Sequence, residues 1–300
     1  MDFRHLALLR ELRSRGSITA VAHATHRTPS AVSQQLRTAQ RELGVTLTVP
    51  HGRGLRLTEA GLLLARGADD VAEALARVRA ELDEFVSAPS GSVSVLAFPS
   101  MAVALFPALA AAFADTDIRV ELHDRDAAEA EFAALTDDFD IVLAHSLGEA
   151  PPRGAQDRKA VLLGTEPLDA AMSADHPLAA RSALTAEDLG TAEWIGVPEG
   201  FPFDRVLRAA EVATGARIRV AQRVRDNALV EALVAGTRLL AILPRFTTRT
   251  DGGIVLRPIR GLPAGRRVWA LMRADTAARS AVQTVIEELR AAFDQAMRSS

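Results

Sequence analysis

Apolar residues along the first sixty positions recur at helical spacing in short bursts. Leu6, Leu9 and Leu12 fall every three residues and the pattern stops near Gly16, which predicts a first helix. Ser17 or Thr19 can cap a second helix carrying Ile18, Val21 and Ala22. A polar break, His26-Arg27-Thr28, follows. Pro29 then stands where a first helical turn tolerates it, with Thr28 as the N-cap. The third helix buries Val32 and Leu36 and ends before Gly44. Val45, Leu47 and Leu55-Arg56-Leu57 flank the turn His51-Gly52-Arg53-Gly54 and read as a β-hairpin. Three short helices and a hairpin predict an α+β winged helix-turn-helix domain over residues 1–58.

The rhythm changes at Thr58. Leu64, Ala68, Val71, Leu75, Val78, Leu82 and Phe85 alternate at spacings of four and three, an unbroken seam of about three heptads. No Pro interrupts positions 51–88. The seam either packs one long helix onto its own domain or joins two protomers. A linker, Ala88-Pro89-Ser90-Gly91, follows at once and favours the second reading. Residues 59–90 are therefore expected to form a linker and dimerisation helix with a hinge.

Beyond the linker, strands alternate with helices. Val93–Phe98 predicts a buried strand, Pro99-Ser100 the start of an Ala-rich helix to about Ala114, Ile118–Leu122 a strand, 127–135 a helix and Phe139–Ala144 a strand. A second unit starts near 164, with strands near 167–172, 194–197, 218–224 and 239–243 and helices at 203–214 and 227–235. Val268–Met272 is a late strand and 276–297 a final helix. This alternation predicts parallel, doubly wound sheets and an α/β two-lobed domain over residues 91–300. The first lobe takes about 91–163 plus 267–300, the second about 164–266, with a cleft at the C-terminal ends of the strands.

Composition narrows the function. The chain has 300 residues, more than one ordinary domain, and its 48% apolar and 24% charged residues exclude a disordered or fibrous protein. The absence of Cys excludes disulfides, thiolate metal sites and cysteine nucleophiles. No apolar run reaches membrane-helix length, and the charged start Met1-Asp2-Phe3-Arg4-His5 is unlike a signal peptide, so a cytoplasmic protein is expected. The net charge of −3 is unevenly spread: residues 1–60 carry nine Arg against four acids, leaving −8 on the rest. A small basic head on a larger acidic body suits a DNA-binding domain with a separate second function.

Catalytic signatures are missing. There is no Walker loop, no H-E-x-x-H, no G-x-S-x-G and no dinucleotide fingerprint, and the seven His show no i, i+4 metal pair. No enzymatic activity, catalytic residue, metal or cofactor is expected.

Several short motifs stand together in order. Gly16-Ser17-Ile18-Thr19, Pro29-Ser30-Ala31-Val32-Ser33-Gln34-Gln35-Leu36, Glu42-Leu43-Gly44-Val45 and Leu57-Thr58-Glu59-Ala60-Gly61 resemble the LysR-type transcriptional regulators. His176-Pro177-Leu178-Ala179 and Leu233-Val234-Ala235-Gly236, leading to Leu243-Pro244, look like the effector domain of that family, which is similar to periplasmic solute-binding proteins. The resemblance implies a DNA-binding regulator of transcription, controlled by a small molecule in the inter-lobe cleft, with operator DNA as partner and RNA polymerase as a further one. It also implies a homodimer or homotetramer on the nucleoid. Thr25, Ala39-Gln40, Thr48 and Pro50 depart from the family pattern, which lightens the small core and removes one phosphate contact.

Within this frame the second helix of the motif lies in the major groove. Thr28, Ser30, Ser33 and Gln34 form the reading surface, and Gln34 can pair bidentately with adenine. Arg37, one turn later, suits a phosphate, and Arg53 at the wing tip a phosphate or the minor groove. In the cleft, Ser100 and Met101 begin a helix whose N–H groups favour an anion, although Ser100 could instead only cap that helix. His145 follows the third strand, Phe201 and Phe203 offer an apolar wall, and Asp226 starts another helix. The acidic loop Asp124-Arg125-Asp126 lies near the cleft by topology. A small carboxylate or amino acid is the expected effector. The rival readings are a solute-binding protein, an enzyme of doubly wound fold, and a ligand-independent nucleoid or replication-associated DNA binder.

Overall fold

The computed structural model describes residues 2–52, 54–86, 89–199 and 201–298. The chain forms two compact units, Met1–Ala88 with Ala274–Ser280, and Pro89–Arg273 with Ala281–Ser300.

The first unit opens with α1 (Phe3–Arg15), α2 (Ile18–Ala24) and α3 (Pro29–Leu43). Local chemistry sets their ends. Ser17 accepts from the Ala20 N–H at 3.1 Å and Thr28 from the Ala31 N–H at 3.2 Å, with Pro29 in the first turn of α3. Gly16 and Gly44 stop α1 and α3 at φ of 68° and 71°, the left-handed region that costs glycine least. The wing is β1 (Thr48–His51) paired antiparallel with β2 (Gly54–Leu57). Leu8, Leu9, Leu12, Val21, Val32, Leu36, Leu47 and Leu57 close one core beneath it. Gln40, one of the departures from the family pattern, braces the approach to the wing. Its Oε1 accepts from the Leu47 N–H at 2.8 Å, where the chain turns toward β1.

α4 (Glu59–Val86) is one continuous helix of 28 residues. It uses two stripes. Ala65, Ala68 and Ala72 are buried on the side of α1. Val71, Leu75, Val78, Leu82 and Phe85 are exposed, Phe85 by 89%. Of the seam, Ala68 therefore packs within its own unit, while its C-terminal half is left uncovered by the described residues.

In the second unit, β3 (Gly91–Ala97), α5 (Pro99–Ala112), β4 (Ile118–Asp124), α6 (Phe132–Leu135) and β5 (Ile141–Ser146) build the first lobe. β6 (Lys159–Ser173) leads into the second lobe, with α7 (Ala186–Gly190), β7 (Glu193–Gly196), α8 (Pro202–Thr214), β8 (Arg219–Arg223), α9 (Asn227–Gly236), β9 (Leu240–Pro244) and β10 (Ile254–Pro258). β11 (Gly265–Met272) returns. α10 (Ala274–Ala277) groups with the first unit, and α11 (Ser280–Arg298) ends the chain.

The sheets are mixed, where wholly parallel ones were expected. β3 runs parallel to β4 and β5, and β7 parallel to β8 and β9. β6 and β11, however, are antiparallel to each other, and each is antiparallel to its other neighbours. The reason is topological. One long strand carries the chain out of the first lobe and another brings it back, so the two must run in opposite directions. The strand order β4-β3-β5-β11-β6-β9-β7-β8 thus continues through both lobes. β6 begins at 159 rather than 167, and β10 had no counterpart in the sequence reading.

Candidate functional site

Two surfaces carry the chemistry, one in each unit. On α3, Thr28 is committed to its cap, with its hydroxyl 3.0 Å from that of Ser30. The Ser33 hydroxyl donates back to the Pro29 carbonyl at 2.8 Å, which leaves its oxygen to accept. Gln34 and Arg37 are exposed and make no hydrogen bond or ion pair among the described residues. Gln35, next in sequence, is tied down: its Nε2 donates to the Arg4 carbonyl at 2.7 Å and its Oε1 accepts from Arg27 at 2.5 Å. The structure thus separates two adjacent glutamines into one uncommitted among the described residues and one that braces the domain. Arg53 lies outside the described residues. Arg56, on β2, is exposed and unpaired among them, a second wing cation that the sequence reading passed over. Its place between Leu55 and Leu57 in an alternating strand was the available signal.

In the second unit, the expected effector residues divide. Ser100 does not cap α5; its oxygen accepts from Arg266 Nη2 at 2.7 Å. Arg266 is buried, and its guanidinium carbon sits 4.6 Å from the Phe98 ring centre and 5.5 Å from that of Phe203. Glu166, fully buried opposite it in the β6–β11 ladder, accepts from Arg266 Nε at 2.7 Å. One arginine therefore touches the first lobe through Ser100 and Phe98 and the second through Phe203. His145 stands within the same group, edge-on to Phe98 and Phe132 at 5.0 and 4.8 Å between ring centres. Burial, reinforced by the charge of Arg266, pushes its pKa down to about 3, so the ring is neutral.

Phe201 belongs to a second contact. Arg225 lies 4.8 Å over its ring and pairs with Asp126 of the acidic loop at 3.2 Å. Burial raises the Asp126 pKa, and the Arg225 charge opposes that rise. Arg205 bridges to Glu129 at 3.3 Å. Both bridges join the second lobe to the first.

Two expected contacts serve other ends. Met101 is fully buried in the first lobe, because the residue after Ser100 on α5 turns toward the sheet. Asp226 caps α9, accepting from the Leu229 N–H at 2.7 Å. Glu166 and Arg266 were missed. An acid set among the apolar residues of β6 was the signal for one, and the paired Arg266-Arg267 ahead of an apolar strand for the other.

No group of three or more potential ligands for a metal occurs among the described residues, and none of their helices is long and apolar enough to cross a membrane.

Comparison with known proteins agrees with this geometry. Residues 3–62 match the model of the bacterial regulatory helix-turn-helix protein, lysR family, and residues 87–294 that of the LysR substrate binding domain. The chain is 28% identical over 252 residues to the transcriptional dual regulator GltC of Bacillus subtilis, covering 82% of each protein. It is 27% identical to the HTH-type transcriptional regulator CbbR of Xanthobacter flavus, over 90% of this chain and 81% of the relative. Among solved structures, a full-length OxyR variant from Pseudomonas aeruginosa shares the fold with a TM-score of 0.67 at 19% identity, covering 98% of this chain and 94% of that one. Full-length CbnR in complex with its target DNA does so with a TM-score of 0.55 at 20% identity, over 98% and 100%. Nothing among these relatives supports a ligand-independent nucleoid protein. A winged helix-turn-helix with free polar side chains on its third helix, and two lobes joined by crossing strands, are thus the two halves of a LysR-family transcriptional regulator with an effector-binding domain, and the chain belongs to that family.

Proposed function

We propose that this regulator reads operator DNA with Ser30, Ser33 and Gln34 on α3, grips phosphates with Arg37 and with Arg53 on the wing, and changes its DNA binding or activation when a small molecule occupies the cleft between its lobes. Thr28 presets the N-terminus of the reading helix. The observation that carries the reading is the contrast between Gln34, uncommitted on an exposed helix face, and Gln35, held at both ends. The effector site is built from Ser100 and Phe203 around Arg266, with Phe201 at its edge and His145 behind it. Its ligand is a carboxylate or an amino acid, bound without chemical change. Met101 supports Ser100 from the core, and Asp226 fixes the start of α9 in the opposite lobe.

The exposed row on α4 joins two copies into a homodimer, which a further contact can double to a tetramer. The site of action is promoter DNA in the cytoplasmic nucleoid, where RNA polymerase is the next partner. Footprinting on the DNA adjoining the regulator's own gene tests the central claim. One or two protected operator sites are expected, and broad, sequence-independent coverage would overturn it. Replacing both Leu75 and Leu82 with Asp should yield monomers with poor operator binding, as measured by sedimentation and gel shift. An unchanged sedimentation coefficient would place the seam inside its own chain.

A further inference from the structure

The Glu166–Arg266 pair is more than a strut between lobes, because it is incompletely used. Glu166 Oε2 accepts from Arg266 Nε and Nη2, at 2.7 and 2.5 Å, while Oε1 is buried with no donor among the described residues. Arg266 Nη2 also donates to Ser100, whereas Nη1 of the same planar group makes no hydrogen bond among them. The Ser100 hydroxyl accepts from Arg266 and keeps its proton to donate. His145 adds a second buried, unpartnered atom, Nδ1, beside Phe98. The cluster therefore lacks one hydrogen-bond donor, for Glu166, and one acceptor, for Arg266 and Ser100. Buried polar groups are ordinarily paired, so a buried, unpaired Glu166 Oε1 beside a guanidinium nitrogen that makes no hydrogen bond among the described residues is informative.

Charge decides what can supply both. Arg266 and Glu166 are together neutral, and aromatic rings from both lobes enclose them. A ligand bearing one net charge would leave that charge uncompensated in an apolar enclosure, which is costly. A zwitterion brings a donor and an acceptor of opposite sign and keeps the enclosure neutral.

We infer that the effector is an α-amino acid, whose ammonium group donates to Glu166 Oε1 and whose carboxylate accepts from Arg266 Nη1 and the Ser100 hydroxyl. This rests on the cleft being the effector site, as proposed above. The side chain of the ligand lies along Phe203 and Phe201, which calls for an apolar or partly apolar one. Entry requires the lobes to part, since Glu166 and Arg266 are 0% and 3% exposed. The bridges to be broken at the mouth, Arg205–Glu129 and Arg225–Asp126, involve arginines that are about half exposed, and such pairs hold weakly.

Thermal unfolding of the full-length protein tests the inference with the common amino acids, each beside its des-amino carboxylic acid and its decarboxylated amine. At least one amino acid is expected to raise the melting temperature, with each of its truncated analogues binding about tenfold weaker or worse. In Glu166→Gln the preference for the amino acid over its des-amino acid should collapse toward unity. A des-amino acid that stabilises the wild type as well as its parent overturns the zwitterion. If that effect is lost in Ser100→Ala, the cleft still stands as the effector site; if no amino acid or carboxylate acts, both ideas fall. An unchanged preference in Glu166→Gln also overturns the role of Oε1, because water then suffices to satisfy it. The comparison of analogues on the wild type needs no variant, so a Glu166→Gln protein that does not fold leaves the test intact.

Discussion

The two halves of this regulator treat their polar side chains in opposite ways. On α3, Gln34 and Arg37 point into solvent with no protein partner among the described residues, and neighbouring groups are spent on caps and braces that keep the helix in place. In the cleft of the second unit the polar groups turn onto one another, with Arg266 holding Glu166 and Ser100 between two phenyl faces. The ligands proposed for the two sites account for the difference. DNA is a large surface that comes to the protein, so the readers must stand ready and exposed. A small molecule must be enclosed, so its site closes on its own side chains when they can pair. Contacts of the first kind are removed with little loss of stability, and contacts of the second kind with a large one.

That contrast can be broken most severely at Glu166. Glu166→Ala leaves a buried guanidinium unpaired and should destabilise the second unit by about 3–5 kcal/mol in denaturant unfolding. Replacing Glu166 and Arg266 together by Leu and Met should cost far less. Equal losses in the single and double variants would mean that the pair stabilises by packing rather than charge. Unfolding of the first unit, followed through its α-helical signal, should be unmoved by either.

His145 gives the next effect. Its folded pKa, about 3, lies below the ordinary 6.5, so the unfolded chain binds the extra proton between those values. Stability should therefore decline as pH falls below about 6.5 and continue to decline toward 3. At pH 5 the loss amounts to about 2 kcal/mol. His145→Gln should flatten this part of the stability profile relative to wild type. Parallel profiles for the two proteins would remove the neutral, buried imidazole from the account.

The smallest changes belong to α3. Gln34→Ala should weaken operator binding by about 1–3 kcal/mol and barely affect random DNA, without shifting the unfolding midpoint. Arg37→Ala should weaken both DNAs alike and reduce the salt dependence. If Gln34→Ala lost equally on both, the side chain would be touching backbone rather than a base. A large fall in stability in either variant would end the distinction between exposed and enclosed sites.

Much of the first unit was legible because its signals are local. Ser17, Thr28 and Pro29 start helices and Gly16 and Gly44 stop them through bonds that span only a few residues. The free face of α3 follows once Val32 and Leu36 are known to be inside. The second unit was legible only in outline. β6 was placed from 167 onward and the late strand from 268, which left Glu166 and Arg266 just outside elements they in fact belong to. β10 went unseen because residues 254–258 alternate too weakly to stand out from a loop, and only its antiparallel pairing with β6 makes it a strand. The helical character of Glu59–Val86 was legible, yet nothing in its spacing indicated that Ala65, Ala68 and Ala72 pack within the unit while Leu75 and Leu82 remain exposed.

By itself, the amino-acid order determined the caps, the helical and strand periodicities, the basic head and the family motifs, since each depends on residues within a turn or two of one another. Tertiary structure alone decided which of two adjacent glutamines is free, and which residues meet in the cleft. Glu166 and Arg266 are 100 positions apart and Ser100 and Arg266 are 166 apart. No periodicity carries a signal over that distance. The antiparallel crossing of β6 and β11 sets the first pair face to face, and the packing of the first lobe against that crossing supplies the serine.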